Sequence, residues 1–166
     1  IRENFLTRVF VLAHLRESLQ FQQIEKLIYF HSKNMLLFLC YDEELTIELG
    51  LILKSNDDFK LIASKYKNIV HSILSSIPKK NSIIDTFNYI FTPICSKLSS
   101  AEQSHYFSLI DGFDNDLISQ SEISTLLYSW ALRYDLKSII DQSLFNPFPK
   151  NLLLDLIESK KEYSIL

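Results

Sequence analysis

The chain has 166 residues, 47% hydrophobic and 22% charged, with a formal charge of −3. That is one ordinary domain with ample core, and far too apolar for a disordered chain. Two glycines, Gly50 and Gly112, exclude phosphate-binding loops, the dinucleotide fingerprint and the Gly-x-Ser-x-Gly nucleophile turn, while two cysteines, Cys40 and Cys95, cannot build a four-thiolate zinc or iron–sulfur site.

In chain order, apolar spacing predicts helices over residues 3–18, 21–41, 43–54, 58–76, 82–97, 101–114 and 121–134, a short one over 136–143, and a last near 150–160. Within the second helix, the longest unbroken apolar run, Met35 to Tyr41, is far shorter than the ~20 residues that cross a bilayer. The fourth helix carries Phe59, Ile62, Tyr66, Ile69, Val70, Ile73 and Ile77 at spacings of three and four, with Lys60, Lys67 and His71 on a neighbouring face. Pro93 should kink the fifth helix or split it near residue 89. Ser99 and Glu102 form a capping-box start for the sixth. Asn146-Pro147-Phe148-Pro149 forces an extended segment before the last. No sustained alternation of period two occurs. The expectation is a single all-α domain over residues 1–166, a bundle of about seven to nine helices.

Charge is unevenly placed. Residues 42–58 hold six acids and one base, whereas residues 59–80 hold Lys60, Lys65, Lys67, Lys79 and Lys80 and no acid. The chain opens without a signal-peptide pattern, so a cytoplasmic location is expected. It opens on Ile1 rather than Met, which suggests a piece of something longer.

Asp111 to Glu122 resembles a calcium loop at positions one, five, eight and twelve. Phe113 at position three has no oxygen to give, and Asp116 stands where the sharp turn wants glycine. The reading is therefore an acidic turn between helices. His14, His31, His71 and His105 show no metal-ligand spacing, so no metal or other cofactor is expected. Two basic stretches remain, Phe30-His31-Ser32-Lys33 and Lys60 to Lys80, either of which could hold phosphates.

Four stretches together resemble a known family. Ile1 to Phe10 (Ile-Arg-Glu-Asn-Phe-Leu-Thr-Arg-Val-Phe) is similar to the junction of two-domain bacterial proteins in which a desulfidase-like domain precedes a YbgA-like domain of unknown function. Phe30-His31-Ser32-Lys33-Asn34-Met35-Leu36-Leu37-Phe38-Leu39 resembles the second domain's Phe-His-x-x-x-Lys-Leu-Leu-Leu-Leu. Leu98-Ser99 with Glu102, then Thr125-Leu126-Leu127, keep the expected order, and Asn146-Pro147-Phe148-Pro149-Lys150 is similar to the closing Asn-Pro-His-Pro-Lys. Met35 stands at the signature lysine, Asn34 at its histidine neighbour, Tyr89 at a fifth-helix histidine, Thr92-Pro93 where Gly-Tyr is usual, and Phe148 at the histidine between the prolines.

The resemblance implies a non-catalytic accessory domain that binds structured RNA, tRNA above all, for a desulfidase-type catalytic partner that carries the iron–sulfur chemistry. On that reading Arg8, Lys33, Arg133 and Lys150 contact phosphates, His31 donates a hydrogen bond or stacks, and Lys60, Lys67 and His71 extend the footprint. Arg8, Lys33 and Arg133 are expected in one cluster, opposite the 111–122 turn. Two alternatives stand beside it: a protein-interaction domain without RNA, and an enzyme using His31 as acid–base group.

Overall fold

Four helix starts among the described residues fall where a polar side chain caps them. The computed structural model describes residues 2–149, with side chains from Asn4 onward, as eight helices and no strand among those residues. They are α1 (Arg2–Gln20), α2 (Ile24–Tyr41), α3 (Glu43–Leu53), α4 (Phe59–Ser75), α5 (Lys80–Cys95), α6 (Ser100–Asp114), α7 (Gln120–Arg133) and α8 (Lys137–Ile140). The all-α bundle expected from periodicity is what is found. The helix expected near 150–160 lies outside the described residues.

Asp42 ends α2 and caps α3, its Oδ1 accepting the Leu45 N–H at 2.9 Å; Asp58 does the same for Leu61 at 3.0 Å. Ser99 with Glu102 and Ser119 with Glu122 close reciprocal capping boxes at α6 and α7. Those hydrogen bonds hold both glutamates below their ordinary range.

Helix ends show what a chain with two glycines does at its turns. Both glycines lie inside helices, and left-handed backbone falls to Gln22 (φ 49°), Asp116 (φ 58°) and Asp135 (φ 49°). At α6 the Leu117 N–H donates to Gly112 O and the Asp116 N–H to Phe113 O; at α7 Leu136 donates to Ala131 O and Asp135 to Leu132 O. Both are Schellman closures with aspartate in the place usually held by glycine.

α2 is the hub. It packs against α1, α3, α4 and α5, and α7 gathers α5, α6 and α8 into a second group. Phe38, Leu27 and Tyr66 are buried in the first group; in the second, Tyr106 stacks on Phe91 at 3.8 Å between ring centres. Pro93 does not split α5, which runs unbroken from Lys80 to Cys95. It sits two residues from the end, where only the Tyr89 carbonyl loses its helical donor.

Candidate functional site

In the Phe30–Asn34 stretch, Phe30 and Asn34 are buried, His31 and Lys33 half-buried and Ser32 exposed. The His31 Nδ1 lies 3.0 Å from the Tyr66 hydroxyl of α4, and Tyr66 is fully buried. Burial lowers the imidazole pKa and raises the phenol's. Both shifts favour the uncharged forms, so a neutral ring meets a neutral phenol, and the ring tautomer sets which of the two donates. Three residues on, Asn34 donates to Phe30 O at 2.8 Å and accepts from the Ser143 hydroxyl at 2.7 Å. The Gln142 amide donates to Ser32 O at 2.8 Å and accepts from the Leu36 N–H at 3.2 Å. It thereby bridges a carbonyl and an N–H four residues apart, the pair that an α-helix joins directly. The Ser143 N–H adds a bond to Lys33 O at 2.8 Å. This stretch is the seam that docks the segment after α8 onto α2.

Lys33 leaves that seam half-buried, its Nζ 3.4 Å from Asp141 and over the Tyr29 ring. It shares a cleft of about 430 Å³ with His14, Glu17 and Asn146. Arg8 instead reaches α4, donating from Nη2 to Ser76 O at 2.6 Å, a cation on a helix C-terminus, while its buried Nε has no partner. Arg133 pairs with Glu102 at 2.8 Å and stacks on Tyr134. Arg8, Lys33 and Arg133 are thus each committed to a different partner: one caps α4, one pairs with the turn after α8, and one bridges α7 to α6. Lys150 lies outside the described residues.

The structure gathers a different set of cations. Lys60, Lys67 and His71 fall within about 40° of arc on α4, at spacings of seven and four. Lys67 and His71 line a groove of about 430 Å³ against α1, floored by Leu12, Leu15 and Leu19 and faced by Arg16 and Gln20. Across the helix, His14 and Glu17 open instead into the Lys33 cleft. The four ion pairs among the described residues are Lys33–Asp141, Lys65–Asp57, Lys80–Asp116 and Arg133–Glu102. Arg16, Lys60 and Lys67 take part in none. Arg16 was not among the sequence candidates, although Leu12, Leu15, Arg16 and Leu19 already share one flank of the first helix.

Positions scattered in the sequence also come together. Met35, Tyr89, Thr92 and Pro93 line one cleft of about 380 Å³ between α2, α5 and α8. Phe148 is buried, its ring 6.3 Å from that of Phe10, and so pins the Asn-Pro-Phe-Pro segment to α1. In the calcium-like turn, Asp116 pairs with Lys80 and the Glu122 carboxylate is taken up by Ser119. Burial pushes the Cys40 thiol up to about 11, which makes it an inert core residue.

The fold and grooves define an α-helical domain whose motif residues mostly hold it together. A family model described as a protein of unknown function (DUF1722) matches residues 35–149, more than half the chain, and the chain belongs to that family. The matched region starts after α1, so Arg16 lies outside it while Lys60, Lys67 and His71 lie within. Comparison with curated proteins and with solved structures finds no match. Among the described residues, no helix is long and apolar enough to cross a membrane.

Proposed function

We propose that this is a YbgA-like, non-catalytic accessory domain that binds structured RNA, of the tRNA class, in the cytoplasm and on behalf of a desulfidase-type partner. One observation carries the reading: Lys67 and His71 line a groove with Arg16, Lys60 continues their stripe along α4, and none of these side chains has a carboxylate partner among the described residues. A paired cation must give up its carboxylate before it meets a phosphate; an unpaired row need not. Lys33 and Arg133 would join only by exchanging Asp141 and Glu102 for phosphate. Arg8 and His31 support the face from within, through α4 in both cases. Three or four phosphate contacts give a log–log salt slope of about −2 to −4. Titration of the domain with bulk tRNA at stepped salt tests this; absent or salt-insensitive binding overturns it.

A second reading, docking onto a protein partner, is favoured by one feature. Phe5 and Ile77 are 64% and 77% exposed, with half-exposed Val9 nearby in sequence, and they flank the Arg8–Ser76 contact. A complex with a desulfidase-type domain that survives high salt, and that is lost on Phe5→Ser with Ile77→Ser, would support it.

A further inference from the structure

The stripe borders a hollow rather than a flat surface, and that bears on what part of an RNA it takes. Phosphates of a duplex need only cations at the surface. Here Lys67 and His71, one turn apart on α4, stand with Arg16 over an opening whose floor is Leu12, Leu15 and Leu19. Leu15 is buried and fixes the floor, while Leu12 and Leu19 remain partly open to solvent. Gln20, exposed beside them, carries one amide donor group and one acceptor. Cations above leucines, with an amide at the side, complement a phosphate, an apolar ring face and a polar ring edge at once. An acyl chain would leave the amide unused, and a duplex would leave the leucines uncovered.

We infer that the α1–α4 groove holds one unpaired nucleotide of the bound RNA. Its phosphate lies on Arg16, Lys67 and His71, and its base lies on the leucine floor with an edge toward Gln20. The inference rests on the RNA reading above and narrows it to RNAs with an unstacked loop or end. An aliphatic floor adds contact area without reading base identity, so any sequence preference is weak.

Two RNAs sharing one stem test this, a blunt duplex and a hairpin. The domain should bind the hairpin about fivefold tighter, the gain from burying roughly 40 Å² of apolar base surface on the leucines. Leu19→Ala should remove that preference with the salt slope unchanged; Lys67→Gln should lower the slope for both RNAs. Should Leu19→Ala not fold, the unaltered domain serves. Adenosine monophosphate should shift the resonances of Leu12, Leu19 and His71, and inorganic phosphate only those near Lys67 and His71. Equal affinity for the two RNAs, or nucleotide shifts confined to the phosphate set, overturns this inference alone. Failure to bind either RNA overturns the parent reading with it.

Discussion

The α1–α4 face and the α2–α8 seam both contain polar and basic residues, but they use them in opposite ways. At the seam Asn34, Gln142 and Ser143 bond one another and the backbone, Lys33 pairs with Asp141, and His31 pairs with Tyr66. On the α1–α4 face Arg16, Lys60 and Lys67 make no ion pair among the described residues and line or extend an open groove. The stretch from Phe30 to Asn34 is thus bonded into the fold. Buried polar side chains that satisfy each other specify how helices dock. Charges left without partners at a surface contribute nothing to that docking, and they remain available to a ligand.

Substitutions should divide along the same line. The largest effect is expected at Gln142→Ala, which strips the bridge from Ser32 O and Leu36 N at a buried site. We expect a loss of about 2–4 kcal/mol in denaturant unfolding, with RNA affinity unchanged wherever the domain is still folded. Next comes Arg16→Gln with Lys67→Gln, expected to weaken tRNA binding by roughly tenfold and flatten the salt slope by about 1.5 to 2, with unfolding moved by under about 0.5 kcal/mol. A stability loss there, or an affinity loss at Gln142, would break the contrast.

Titration sharpens it further. Because burial lowers the His31 pKa in the folded state, the unfolded chain binds the proton more readily. The contribution of neutral His31 is complete above its ordinary 6.5 and is lost as pH falls through the lowered folded value. Unfolding free energy should therefore decline below pH 6.5, and His31→Gln should flatten that decline. The Glu102 and Glu122 caps act lower, present above their ordinary 4.5 and lost as pH falls through their depressed values. The smallest effect is expected at Lys33→Gln, where a partly exposed pair at 3.4 Å is worth under about 1 kcal/mol.

The helices were legible in the sequence because capping and apolar period act locally. Ser99 with Glu102, Asp42 and Asp58 start helices where their side chains suggest, and the predicted bounds fall within a few residues of those found. The stripe of Lys60, Lys67 and His71 was equally legible, since one helix fixes their spacing. Its partner was not. Which flank of α1 meets α4 is decided by packing of Leu15 against a distant helix, so Arg16 could not be told from any other exposed arginine. For the same reason the groups that Arg8, Lys33 and Arg133 engage could not be read from the sequence: their partners Ser76, Asp141 and Glu102 lie 68, 108 and 31 residues away. The split expected near residue 89 is not found, because the cost of Pro93 depends on its distance from a helix end that only the structure sets.

The salt dependence of tRNA binding, measured side by side for the unaltered domain, Arg16→Gln/Lys67→Gln and Lys33→Gln/Arg133→Gln, tests the central claim most directly. The account predicts a steep slope for the first, a clearly shallower one for the second and a third close to the first. Equal slopes for the first two, or a collapse confined to the third, would contradict it.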